Sequence, residues 1–258
     1  MGMKKGYKDL EIKKVSVLTL GCCKNIVDSE NLIGMLKENN LVYETDLNNA
    51  DLLIINTCGF IKPAKEESIN IIMQAVSLRK KGNLKRLYVM GCLSQRYKDD
   101  LRKQIPEVDA FFGVNSSMEI IKHINDNLEI NCNTRRHLLT PNHYAYLKIS
   151  DGCNHRCSFC AIPLIKGNYS STPIENIINE AKSLVNQGVK ELIVIAQDTT
   201  YYGLDLYGKR VLPELLQRIS DIDGVEWIRL MYTYPQGFPK EVLKVIAERD
   251  NICKYIDI

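Results

Sequence analysis

The sequence predicts an α/β protein made of two successive parallel-sheet halves, and three observations lead there. Short apolar runs of strand length alternate with amphipathic stretches of helix length in both halves. A polar stretch separates the halves and restarts the alternation. Cysteines stand just beyond the ends of several apolar runs, which is where parallel sheets carry their functional groups.

The elements of the first half follow in order. Val15–Leu20 is an apolar run ending at Gly21-Cys22, and a helix is expected from about Asp28 to Asn39. Leu52–Asn56 is a second strand ending at Thr57-Cys58-Gly59. Pro63 suits a first helical turn, and Ile69, Ile72, Met73 and Val76 follow at helical spacing. Leu87–Met90 is a third strand, ending at Gly91-Cys92, with a helix from about Gln95. Ala110–Val114 precedes a helix over Met118–Ile124. Continuously apolar strands between helices indicate a sheet covered on both faces.

The first domain is placed at residues 1–127, a linker at 128–143 and the second domain at 144–258. In the second domain Tyr144–Ile149 is a strand, and a loop over 150–167 carries three cysteines. Thr172-Pro173-Ile174-Glu175 offers an N-cap threonine, a first-turn proline and a capping-box glutamate. The apolar stripe Ile174, Ile177, Ile178, Ala181, Leu184 and Val185 is a core-facing helix face. Leu192–Ala196 is a strand, Leu212–Ile222 a helix, Val225–Met231 a strand and Pro239–Glu248 a helix. Tyr255–Ile258 reads as a fourth strand just entered, so the sequence is expected to be part of a longer one.

Composition narrows the function classes. Of 258 residues, 45% are apolar and 25% charged, ordinary values for a globular protein. No apolar run is long enough to span a bilayer, and the lysine-rich start lacks the apolar region of a signal peptide. The net charge of +3 is too small to argue for nucleic-acid binding. A short basic cluster, Arg79 to Arg86, is expected on a solvated helix end. Nine cysteines with no secretory signal point to a reducing cytoplasm and metal ligation rather than a disulfide framework.

Cys153, Cys157 and Cys160 have the spacing C-x3-C-x2-C. Thiolates are natural iron–sulfur ligands, and three of them leave one metal of a four-iron cube open for chemistry. A zinc site completed by His155 or a distant ligand is the competing reading; zinc loops favour paired CxxC units, and only one is present. Phe159 is either a core residue or packs on a bound adenine. Cys22, Cys58 and Cys92 follow successive strands at intervals of 36 and 34 residues. Because parallel strands end on one edge, the three are expected to converge as a second cluster site. Three unrelated buried thiols are the alternative. Cys23, Cys132 and Cys253 fit neither trio. His123, His137, His143 and His155 form no ligand-like spacing and are expected at the surface or at helix ends.

These residues resemble the methylthiotransferases, a family of radical S-adenosylmethionine enzymes. Gly21-Cys22-Cys23-Lys24-Asn25 with Val27-Asp28-Ser29-Glu30, Asn56-Thr57-Cys58-Gly59-Phe60 and Gly91-Cys92-Leu93 are similar to the family's N-terminal motifs. Tyr144 to Pro163 is similar to its radical motif. Leu20 to Glu30 and Ala196 to Gly203 resemble the branch that methylthiolates the β-carbon of an aspartate in small-subunit ribosomal protein twelve. The other branch modifies isopentenyl- or threonylcarbamoyl-adenosine in tRNA. The chain departs from the family at Cys23, where proline is usual, at Lys166, where arginine is usual, and at Tyr169-Ser170-Ser171, where a basic stretch is common.

The resemblance implies a Rossmann-like first domain and a partial radical S-adenosylmethionine (β/α) barrel, truncated before a C-terminal β domain. It implies two [4Fe–4S] clusters, an auxiliary one on Cys22, Cys58 and Cys92, and one on Cys153, Cys157 and Cys160 that cleaves S-adenosylmethionine. Phe159, Gln197, Asp198 and Arg229 are candidate contacts to that cofactor, or else loop-capping and packing residues. The implied partners are the ribosomal protein and an electron donor such as flavodoxin or ferredoxin, in the cytoplasm and without a membrane. The contrasting class, a non-catalytic iron–sulfur carrier or redox sensor, would normally close each cluster with four cysteines.

Overall fold

A computed structural model describes residues 11–82, 84–125 and 135–258, and divides the chain into two compact units, 1–137 and 138–258.

In the first unit β1 (Lys14–Thr19) leads into α1 (Cys23–Glu38), followed by the short β2 (Val42–Tyr43). Then come β3 (Leu52–Thr57), α2 (Lys62–Lys80), β4 (Arg86–Gly91), α3 (Cys92–Gln104), β5 (Ala110–Phe111) and α4 (Ser117–Ile124). All strands are parallel, in the order β2-β1-β3-β4-β5. This is a doubly wound arrangement whose strand order reverses between β1 and β3.

Alternate residues of the central strands feed opposite cores. Leu52, Ile54, Tyr88 and Met90 pack with Leu32, Ile33 and Leu36 of α1 and with Ile120 and Ile121 of α4. Leu53, Ile55, Leu87 and Val89 pack on the other side with Ile72, Ala75 and Val76 of α2 and with Leu93 and Leu101 of α3. Removing each leucine, isoleucine, valine and methionine of these sets from water stabilises the unit by about 1.5–3 kcal/mol, and strands apolar on both faces are what two flanking cores require.

The second unit begins with β6 (Tyr144–Lys148), and a two-stranded antiparallel ribbon, β7 (Ser150–Asp151) and β8 (Ser170–Ser171), brackets the cysteine loop and α5 (Ile162–Lys166). It continues through α6 (Ile174–Val185), β9 (Glu191–Ile195), α7 (Leu204–Tyr207), α8 (Leu212–Ser220), β10 (Trp227–Leu230) and α9 (Glu241–Glu248). Its sheet is parallel in the order β6-β9-β10, each strand added beside the last, as in the early part of a βα barrel. One sheet face, including Leu147, Val194 and Ile228, packs on α6, α8 and α9. Tyr146, Ile193 and Arg229 stand in one row on the other face.

Several sequence expectations shift. The first helix begins at Cys23 rather than Asp28, because Gly21, at φ +90°, turns the chain at once and Cys22 accepts the first-turn bonds from Asn25 and Ile26. The helix after β4 starts at Cys92 rather than Gln95, and the fourth strand stops at Phe111. In α2, Ile72 and Val76 are buried but Ile69 and Met73 are exposed, and Ser68 and Ala75 complete the inward stripe. In the basic cluster Arg86 is buried, and Arg79 pairs with Asp109 at 2.8 Å. Thr172 does not cap α6, which starts at Ile174; Glu175 reaches across to Arg218 instead, at 2.7 Å. Tyr255–Ile258 is not a strand. The chain meets β10 earlier, where Ile252 bridges Ile228 in parallel and Thr233 bonds Asp257. At the end of the expected linker, Arg136 and His137 dock on α1, through a buried Arg136–Glu30 ion pair at 3.0 Å and the bond from the His137 amide to the Glu30 carbonyl.

Candidate metal centres

The two cysteine trios lie in different units. The eight described cysteines carry thiols rather than disulfides, and Cys132 lies outside the described residues. Among the described residues no three Cys, His, Asp or Glu side chains already stand at metal-ligating separation.

In the first unit the trio collects at the carboxyl edge of the sheet, on both sides of the β1/β3 reversal. Cys22 is the residue before α1, Cys58 follows β3 directly, and Cys92 is the first residue of α3. The loops press on one another. A Cβ built on Gly21 would sit 2.6 Å from the Cys58 Cβ, and one on Gly59 would sit 2.7 Å from the Leu93 backbone next to Cys92. Cys22 is exposed, which removes the reading of three buried core thiols, while Cys58 is half-buried and Cys92 buried. Burial pushes the Cys58 thiol up, and the nearby Cys22 thiol adds to this; the backbone N–H groups of Phe60 and Gly59 oppose it. Cys22 and Cys92 stand at the N-terminal ends of α1 and α3.

A network of polar side chains underlies these loops. The Asn25 amide donates to the Leu20 carbonyl at 2.8 Å and to the Thr57 carbonyl at 3.2 Å, and its Oδ1 lies 4.0 Å from the Cys92 sulfur. Asn56 donates to the Asn25 carbonyl and to the Ser29 hydroxyl, both at 3.0 Å, and Thr19 donates to Ser29 at 2.7 Å. One buried asparagine therefore touches the ends of both reversal strands and the third cysteine.

In the second unit Cys153, Cys157 and Cys160 lie on the loop between β7 and α5. Cys153 is buried, while Cys157 and Cys160 are half-exposed. Burial raises the Cys153 thiol above its ordinary value, with further contributions from Asp198, Cys160 and Cys157, so the three sulfurs share one neighbourhood. Phe159 is 87% exposed, so it is not a core residue. Gln197 is half-buried just past β9. Asp198 is buried, and its carboxylate accepts from the Thr200 amide at 2.8 Å, the Thr200 hydroxyl at 2.5 Å and His155 Nε2 at 2.7 Å. Arg229 pairs with Glu191 at 2.5 Å and lies over the Tyr255 ring, and the pairing raises its pKa further.

Sequence reasoning missed His155, which lies inside the cysteine loop against Asp198 and Tyr234 rather than idle on the surface. Its position between two cysteines of the trio is the available signal. Asn25 was seen only as part of a motif. The donor sets suit soft, thiolate-ligated iron–sulfur groups: one trio is three sulfurs at the ends of parallel strands, the other three sulfurs on one loop.

Comparison with known proteins fits this chemistry. Residues 14–113 match the uncharacterized protein family UPF0004, and residues 147–258 match the radical SAM superfamily. The ribosomal protein uS12 methylthiotransferase RimO of Cytophaga hutchinsonii is 51% identical over 95% of this chain and 56% of its own length. That of Bacteroides thetaiotaomicron is 50% identical over 95% of this chain and 57% of its own. The chain thus spans about half the length of the curated relatives it matches. Among solved structures, the radical S-adenosylmethionine methyltransferase TsrM of Kitasatospora setae covers 94% of this chain and is itself covered over 60%, with a TM-score of 0.63 and 12% identity. The cobalamin-dependent radical enzyme OxsB covers 91% and is covered over 42%, with a TM-score of 0.56 and 14% identity. At these identities the structural likeness establishes the fold.

Proposed function

We propose that the chain is part of a radical S-adenosylmethionine methylthiotransferase that methylthiolates the β-carbon of an aspartate in small-subunit ribosomal protein twelve, as its similarity to the RimO proteins suggests. The observation that carries this reading is the pair of three-thiol sets, one per unit, the first at the carboxyl ends of parallel strands and the second on the single loop between β7 and α5. A redox carrier would normally close each cluster with four cysteines; two trios leave two open metal positions.

Cys153, Cys157 and Cys160 would hold one [4Fe–4S] cluster and Cys22, Cys58 and Cys92 the other. Bound there, the two clusters and S-adenosylmethionine would supply radical hydrogen abstraction, sulfur and the methyl group. The chain's own residues position and shield. Asn25 ties the Leu20 and Thr57 carbonyls together, which fixes two of the cysteine-bearing loops. Buried Cys153 and the ribbon of β7 and β8 set the base of the other loop. The sheet face bearing Tyr146, Lys148 and Arg229 turns away from the helices, with Lys148 paired to Asp151 at 2.8 Å and Arg229 to Glu191 at 2.5 Å, and would meet cofactor or substrate as an aromatic, charge-balanced surface. We assign the activity to the cytoplasm, with a flavodoxin or ferredoxin as electron donor.

The test is mass spectrometry of ribosomal protein twelve and of total tRNA from cells with and without the encoding gene. Loss of the methylthio group from the protein aspartate on deletion supports the reading. Its loss from tRNA adenosines alone would reassign the substrate.

A further inference from the structure

The loop that carries Cys153, Cys157 and Cys160 is held from outside by one compact group of side chains. Within it, Asn154 and His155 directly follow the first cysteine. The His155 backbone amide donates to the Cys153 sulfur at 3.4 Å, so the backbone at 155 is tied to that cysteine and a shift of the loop there moves both. The His155 ring is fixed on two sides. Its Nε2–H donates to Asp198 Oδ2 at 2.7 Å, and its face stacks on Tyr234 with ring centroids 4.1 Å apart and planes 32° from parallel. A carboxylate only accepts, so the contact places the proton on Nε2.

Asp198 is itself immobilised. Oδ1 takes the Thr200 amide and hydroxyl, and the Asp198 carbonyl accepts from the Tyr169 hydroxyl at 2.9 Å. The Tyr169 amide donates to Asn154 Oδ1 at 2.9 Å, and the Asn154 amide reaches the Tyr201 hydroxyl at 3.2 Å. The turn 198–201 is in turn tied to the end of β10, where the Thr199 amide donates to the Tyr232 carbonyl at 2.9 Å. Both residues after Cys153 are thus held by a rigid turn at the end of the neighbouring strand.

We propose that Asp198 and His155 are positioning residues that brace the cysteine loop, and that Asp198 acts on the bound metal group through His155 rather than by touching S-adenosylmethionine. The inference rests on the functional reading above only for the identity of that group. Three of the roughly four acceptor positions of its carboxylate are already taken, so Asp198 has little left to offer a cofactor. What it supplies is loop geometry, and contacts of this outer kind change metal retention by about 10–100-fold when removed.

The test uses the full chain reconstituted with iron and sulfide under argon. Metal release to a chelator is timed, and the spectrum of the reduced cluster is recorded with and without S-adenosylmethionine, for wild type, His155→Ala, Asp198→Ala, the double variant and His155→Gln. The expected result is release about tenfold faster from the S-adenosylmethionine-responsive cluster in both alanine variants, with the other cluster unchanged. The double variant should be no worse than either single, and His155→Gln, whose amide can still donate to Asp198, should regain most of the retention. Circular dichroism checks folding; if Asp198→Ala fails to fold, the two His155 variants decide. Unchanged release in both alanine variants would overturn the brace. So would a loss of S-adenosylmethionine affinity in Asp198→Ala alone, which would make Asp198 a direct contact. A wild-type signal that ignores S-adenosylmethionine would count against the functional reading instead, and the metal-release comparison would still decide the brace.

Discussion

Replacing Asn25 with alanine should weaken the first unit and loosen its cysteine loops without touching the second. The side chain is buried, at 1% exposure, and its amide donates at 2.8 Å to Leu20 and 3.2 Å to Thr57. Each bond contributes about 1 kcal/mol net, and the buried Thr57 carbonyl loses a donor that water cannot easily replace. A total of about 2–3 kcal/mol follows. At an m-value of about 2 kcal/mol/M in urea, the midpoint should fall by about 1 M. The assay exploits a feature of the sequence: the one tryptophan, Trp227, is in the second unit, so its fluorescence follows that unit while far-ultraviolet circular dichroism follows both. The dichroism transition of the first unit should move and the fluorescence transition should not. A first-unit shift below about 0.2 M, under roughly 0.5 kcal/mol, would refute the structural role given to Asn25.

Other expectations follow from the same contacts. Gly152→Ala should cost several kcal/mol or displace the cysteine loop, because φ is +72° and the new Cβ would lie 2.0 Å from the Asn168 carbonyl oxygen; loss of iron from the second trio in metal analysis checks it. Arg136→Ala removes a cation 3.0 Å from the buried Glu30 carboxylate, a loss of up to about 3–5 kcal/mol readable as a lower melting temperature, whereas Arg136→Ala with Glu30→Gln should recover much of it. Burial, then the neighbouring Lys37, lowers the His137 pKa, so the unfolded chain binds the proton more readily. The His137 contribution is therefore complete above the ordinary histidine value and is lost as pH falls through the lowered one. A His137→Asn variant should lose less stability than wild type between pH 7 and pH 5 in thermal melts, and equal losses would contradict this.

How much of this was legible in the sequence depended on where the constraint lay. The central strands β3 and β4 read clearly because burial on both faces leaves no polar position to confuse the pattern. The start of α1 did not, since it is set by a left-handed turn at Gly21 and by bonds to the Cys22 carbonyl rather than by apolar spacing. The capping-box motif at Thr172 misled because α6 starts at Ile174 with Pro173 as the residue before it, so Thr172 and Glu175 fall out of capping register, and Glu175 meets Arg218, 43 residues away. The two-residue strands β7 and β8 are too short to carry any period. The cysteines were legible because few other roles explain thiols at strand ends. The support for them was not: Asp198 and His155 are also 43 residues apart and meet only once the βα units are packed. Asn25 sits beside Cys22 in sequence, but its links to Thr57 and Cys92 come from the sheet order.

The central claim is that the two cysteine trios hold separate clusters and that only the second cleaves S-adenosylmethionine to 5′-deoxyadenosine. It is tested most directly by iron content and 5′-deoxyadenosine yield in reconstituted, dithionite-reduced protein, comparing wild type with Cys58→Ala and Cys157→Ala. The account predicts that each variant loses one cluster's iron and keeps the other's, and that Cys157→Ala alone abolishes 5′-deoxyadenosine. Zinc in place of iron, or undiminished 5′-deoxyadenosine from Cys157→Ala, would contradict it.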